Sequence, residues 1–139
     1  MSTIILYYSL GGRTKVEAEK LAVQRDAELY AIEEVKRRNI LNALIPGCFH
    51  SRKRKASEIR PLSIDLNGFD RILIGAPIWG GFPAPAFNTV IQLLPENKEV
   101  EVFLCSGGGS SALSEEGTRH MLTDRNCTLV EYRDIKTGK

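Results

Sequence analysis

"IILYYSLGGRT", residues 4–14, decides how the rest of the chain is read. Five apolar or aromatic residues run without a polar break into a serine, a leucine, two glycines, an arginine and a threonine. An unbroken apolar run of this length fits a strand buried on both faces, which is the habit of parallel sheets. The loop after it is either a tight turn into a helix or a cradle for a phosphate. Glycines leave backbone N–H groups open, and a helix start presents the positive end of its dipole. Thr14, Ala18, Leu21 and Ala22 then recur at helical spacing over residues 14–24, and Thr14 with Glu17 has the spacing of a capping box.

The same alternation continues outward from this unit. Residues 28–32 read as a second strand, 71–76 (RILIGA) as a third, 100–105 as a fourth and 127–134 as a fifth. A helix opening at Pro85 carries Phe87, Val90, Ile91 and Leu94 on one stripe. A less regular one over 113–124 carries Leu113, Gly117, His120 and Met121. Strands buried on both faces and alternating with helices predict a parallel α/β sheet, and the 139 residues form one domain, 1–139, with no repeat or linker.

Ligands of such sheets lie beyond the carboxyl ends of the strands. The three conspicuous loops all come directly after strands and so crowd one edge: 9–14, 77–83 (PIWGGFP) and 106–111 (SGGGSS). Ser9 and Thr14 can donate to a phosphate; Trp79, flanked by Gly80 and Gly81, can lay its ring against a planar ligand. The glycines at 107–109 permit close approach to a flat heterocycle.

The pieces ILYYSLGGRTKVEAEKLA (5–22), FDRILIGAPIWGGFPAPAFNTVI (69–91) and VEVFLCSGGG (100–109) resemble the flavodoxin family, over nearly the whole chain up to the fifth strand. The resemblance implies a three-layer fold with a five-stranded parallel sheet of order 2-1-3-4-5, and FMN as cofactor. It places the FMN phosphate at Ser9, Leu10, Gly11, Gly12, Arg13 and Thr14. The flavin ring is then expected between Pro77, Ile78, Trp79 and Gly80 on one side and Ser106, Gly107, Gly108 and Gly109 on the other. Gly11 departs from the pattern, since the family commonly has a hydroxyl residue there. The third loop also offers no tyrosine to stack on the ring, and an open ring face favours a small reductase over a one-electron shuttle. Electron transfer or NAD(P)H-dependent reduction is the expected function, with NAD(P)H or a redox protein as partner. No side chain is assigned as acid, base or nucleophile.

The family's closing helix has no counterpart after residue 134. One sheet face should then expose an apolar patch of several hundred Å2, which predicts a homodimer or other partner sealing it. The charge is uneven: residues 36–60 hold eight Lys and Arg against one acid, in a chain whose net charge is +2. This window reads as solvated surface, or as a lure near the flavin for the 2′-phosphate of NADPH or an acidic partner. One aromatic, Phe49, and no groove-reading motif argue against nucleic acid. No apolar run approaches the roughly 20 residues of a membrane span. Cys48, Cys105 and Cys127 form no paired motif, as expected of a cytoplasmic protein.

Readings from other classes are weaker. Ser110 or Ser111 with His120 and Asp134 would put the acid after the histidine, against the chain order of the hydrolase fold. A receiver domain needs acids where this chain has Tyr7, Tyr8 and Ser9. A flavodoxin-like scaffold without flavin, acting as an interaction module, is the alternative to the flavoprotein.

Overall fold

A computed structural model of the chain describes residues 2–36, 50 and 52–137. Residues 37–49 of the basic window, Cys48 and Phe49 among them, lie outside the described residues. Five strands run parallel: β1 (Thr3–Tyr7), β2 (Glu28–Ala31), β3 (Arg71–Trp79), β5 (Glu99–Ser106) and β6 (Thr128–Lys136). Their order is β2-β1-β3-β5-β6, which is 2-1-3-4-5 when only the parallel strands are counted. Leu6 stands opposite Tyr30 on one side and Ile74 on the other, and Ile74 stands opposite Val102. The central strands are apolar on both faces because both faces are covered. Ile4, Ile5, Leu6, Ile72, Leu73, Val100 and Leu104 are all fully buried.

The sixth strand was not expected. β3 continues through Pro77, Ile78 and Trp79, and β4 (Phe82–Pro83) folds back on it antiparallel. Gly80 and Gly81 form the two-residue turn between them with φ of 64° and 90°. Both central residues of such a turn need positive φ, which glycine supplies without a Cβ clash. The segment read as a loop is therefore a hairpin that extends the sheet beneath the candidate site.

Among the described residues, three α-helices cover the sheet: α1 (Arg13–Arg25), α2 (Pro85–Gln92) and α3 (Glu115–Asp124). α2 and α3 pack with the larger core cluster, around Ile72, Ile74, Phe87, Ile91, Leu104 and Leu122. α1 buries Ala18 and Leu21 on the opposite face, against Ile5, Leu73 and Phe103. The expected stripe on α3 is misplaced. Leu113 sits in a short turn before the helix and is 88% exposed, His120 is exposed beside Asp124, and the buried positions are Ser114, Thr118 and Leu122. The reason is polar: Ser114 shares a 2.5 Å hydrogen bond with the Tyr132 hydroxyl, and Thr118 accepts one of 3.0 Å from Arg54.

The α1 face also differs from expectation. Ile5, Leu73, Phe103 and Cys105 are buried within the chain, so they form no open apolar patch. Phe103 closes part of the face by laying its ring over Gly75; a methyl there would stand 2.1 Å from Cζ. Glu101 closes another part. Its carboxylate accepts from both Nη atoms of Arg25, at 3.0 and 2.7 Å, and from Nη1 of Arg71 at 2.5 Å. Among the described residues, charge neutralised in place closes this part of the face. β6 is the last element among the described residues.

Candidate functional site

The first loop is built by a change of direction at the end of β1. Tyr8 still donates its N–H to Gly75 O at 2.9 Å, holding the chain against β3 for one more residue. Gly12, at φ 93°, then turns it into α1 as the helix N-cap. The Ser9 hydroxyl oxygen accepts from the N–H groups of Gly12 (3.0 Å) and Lys15 (3.3 Å). Ser9 thus caps α1, not Thr14, which lies inside the helix without a side-chain cap bond. The capping-box spacing fails because the left-handed glycine starts the helix earlier. Thr14 is instead buried, with its hydroxyl against the Cys105 thiol. Burial pushes that thiol up to about 11, the Thr14 bond pulling weakly the other way. The first turn of α1 contains Arg13 and Lys15 and no acid.

A cavity of about 290 Å3 opens at the carboxyl ends of β1, β3 and β5. Ser9, Leu10, Gly11, Arg13, Thr14, Pro77, Ile78, Trp79, Ser106 and Gly107 line it. All three loops therefore meet at one place. Four residues expected there do not line it: Gly12, which borders a neighbouring cavity, and Gly80, Gly108 and Gly109. Gly80 is spent on the hairpin turn. Gly108 and Gly109 donate their N–H groups back to the Ser106 hydroxyl, at 3.3 and 2.8 Å, and so shape the loop from behind.

Two lining residues were missed. Cys105 could have been found from its parity with Phe103, which puts both on the α1 face beneath the first loop. Thr137 comes just after β6 and is tied to Ser106 by a 2.7 Å backbone bond; nothing in its sequence context marks it. Trp79 packs against the larger core and meets the Tyr8 ring edge-on at 6.0 Å. A second cavity, of about 390 Å3, lies across Ser9 and Leu10 at the ends of β1 and β2.

The other motifs resolve differently. Ser111 donates both its N–H (3.0 Å) and its hydroxyl to the Asp134 carboxylate, while the Tyr132 hydroxyl donates to Ser111 O at 3.0 Å. No histidine enters this set; His120 pairs with Asp124 on the exposed side of α3. Within the basic window, Arg52, Lys53 and Lys55 are exposed, but Arg54 is tucked inward. Its guanidinium lies 5.8 Å over the Phe82 ring and donates to Thr118 and Met121, and burial pulls its pKa down. Among the described residues, no cluster of acids, cysteines and histidines could hold a metal, and no helix is long and apolar enough to cross a membrane.

No protein-family model matches the chain, and no curated protein matches it significantly. Solved structures do. A flavoprotein from Lactobacillus acidophilus in complex with FMN is 26% identical, with a TM-score of 0.79 over 96% of this chain and 92% of that one. A structure from Bacteroides eggerthii is 23% identical, with a TM-score of 0.84 over 99% of this chain and 90% of that one. Oxidised flavodoxin 1 from Bacillus cereus is 16% identical, with a TM-score of 0.54 over 100% of this chain and 88% of that one. Its strand order, its three converging loops and these likenesses give the chain the flavodoxin-like fold and a resemblance to flavoproteins.

Proposed function

We propose that the chain binds FMN in the cavity at the ends of β1, β3 and β5 and serves as a small redox protein, an electron carrier or an NAD(P)H-dependent reductase. The observation that carries this reading is the meeting of the three loops in one cavity, in a chain 26% identical to a flavoprotein solved with FMN.

The residues present fit the group. A phosphate suits the start of α1, where the Gly12 and Lys15 backbone N–H groups converge on the Ser9 oxygen, the Arg13 side chain lines the first cavity and supplies positive charge, and no acid stands in the first turn. An incoming phosphate oxygen can take over the acceptor role of Ser9. Arg13 reaches across to the third loop, with Nη1 3.8 Å from where a Gly107 side chain would begin, so it spans both ends of the cavity. Trp79, Ile78 and Pro77 offer an apolar wall for a flat ring. When bound, the flavin supplies the redox chemistry. The protein's residues hold its phosphate, orient the ring and shield one side from water.

Titrating FMN with the purified apoprotein while monitoring flavin fluorescence tests this. Saturable quenching at one FMN per chain, weakened about tenfold or more in Arg13→Ala, is expected. No quenching at micromolar protein would overturn the reading.

A further inference from the structure

The second cavity, across Leu10 from the first, is the larger of the two, at about 390 Å3 against 290 Å3. It lies at the carboxyl ends of β1 and β2, and of the three loops that meet at the first cavity only the first, through Ser9, Leu10 and Gly12, borders it. Ser9 and Leu10 belong to both cavities, so they meet along one edge. The cations of the first turn of α1 are divided between them: Arg13 lines the first and Lys15 the second. One helix start therefore faces two separate places for a phosphate.

At the end of β2 stand Glu33 and Glu34, both lining the second cavity. Glu33 lies about twenty residues beyond Gly12, the position from which an acid in a dinucleotide-binding βαβ unit grips the ribose hydroxyls. Its place is fixed by backbone. Arg60 donates its N–H to Glu33 O at 2.8 Å, Val35 donates to Glu58 O at 2.9 Å, and the Arg60 side chain pairs with the Glu33 carboxylate at 3.2 Å. Leu10 and Ile32 add apolar wall. A carboxylate suits a ribose diol and repels a 2′-phosphate.

We propose that this cavity takes the adenosine diphosphate half of NADH. Lys15 meets the diphosphate, Glu33 the ribose hydroxyls, and Leu10 with Ile32 the adenine. The shared edge at Ser9 and Leu10 leaves the nicotinamide end a path to the first cavity. The inference names the electron donor of the function proposed above and rests on that reading for what the dinucleotide does, though not for whether it binds. It favours NADH over NADPH because Arg60, the basic-window residue that shares this wall with Lys15, Glu33 and Glu34, is already paired with the Glu33 carboxylate.

Calorimetric titration of the apoprotein and of the FMN-loaded protein with ADP, NADH and NADPH tests it, alongside amide NMR of Leu10 and Ile32. ADP and NADH should compete and shift both resonances, and NADPH should bind at least about tenfold more weakly. Glu33→Gln should narrow the gap between NADH and NADPH, and Lys15→Ala should weaken ADP itself. Absence of ADP binding at millimolar concentration, equal binding of NADH and NADPH, or indifference to both variants would overturn the proposal. FMN binding without ADP binding sinks this inference alone. ADP binding without FMN binding keeps the site and sinks the flavin reading.

Discussion

Tyr8 and Trp79 meet edge to face, their ring centroids 6.0 Å apart and their planes at 82°. Tyr8 in turn donates its hydroxyl to the buried Glu34 carboxylate at 2.7 Å. The tryptophan of the first cavity is thus braced by a tyrosine anchored in the second.

That bracing separates two roles. Trp79→Ala removes the ring that walls the first cavity and should weaken FMN binding about tenfold, consistent with an aromatic contact of ~0.5–1.5 kcal/mol beyond area burial. Tyr8→Phe keeps the edge contact and loses the bond to Glu34. It should leave FMN affinity within about threefold and lower stability by ~1 kcal/mol or more. Fluorescence titration and urea unfolding of the two variants would tell a wall from a brace.

Gly75 is glycine because Phe103 occupies its side-chain space. Gly75→Ala should destabilise the chain by about 1–3 kcal/mol through overpacking. Adding Phe103→Leu should recover part of that loss, so that the double variant unfolds at a higher urea concentration than Gly75→Ala alone. Strict additivity would contradict the packing seen between them.

Glu101 is a buried charge on the sheet, held by Arg25 and Arg71. Hydrogen bonding from Arg25 and then Arg71 holds its carboxyl below the usual carboxylate range, against the opposing effect of burial. A depressed folded pKa contributes stability that is complete above the unfolded value, roughly 4.3, and fades as pH falls through the folded value. Unfolding free energy should therefore decline on the acid side below about pH 5. Glu101→Gln should flatten that limb and cost ~1.5–3 kcal/mol at neutral pH, as expected for hydrogen bonds to a charged group. An unchanged acid limb in the variant would assign the pH dependence elsewhere.

Gly11 has no conformational reason to be glycine: a methyl there would meet nothing within 4 Å, and its φ is not positive. Gly11→Ser restores a hydroxyl where the flavodoxin family commonly has one. It should tighten FMN binding about tenfold, the value of one good hydrogen bond to a charged group, without lowering the unfolding midpoint. Weaker binding would mean that the phosphate lies elsewhere on the loop.

The order of the parallel strands and the edge at which the loops meet were legible because both arise from apolar runs that stop at glycine and hydroxyl residues. Ile4 to Leu6 and Ile72 to Ile74 admit few other readings. The local details failed where one residue type answers two needs. Gly80-Gly81 looked like freedom for a ligand and is the turn of a hairpin, although a Gly-Gly pair between apolar runs is itself a hairpin signal. Thr14 matched a cap by spacing, but the cap depends on where Gly12 turns the chain. Arg54 was hidden inside a run of exposed charges, and the buried face of α3 is hydroxylic, which hydrophobic periodicity does not detect. Charge closure by Glu101 joins residues 30 and 76 positions apart, beyond the reach of any local pattern.

The visible absorption spectrum of the purified protein, taken before and after adding excess FMN and desalting, tests the central claim most directly. Flavin bands shifted from those of free FMN and retained through desalting, at about one flavin per chain, are the predicted result. A colourless protein that releases all added FMN would contradict the account and leave a flavodoxin-like fold that works without a flavin.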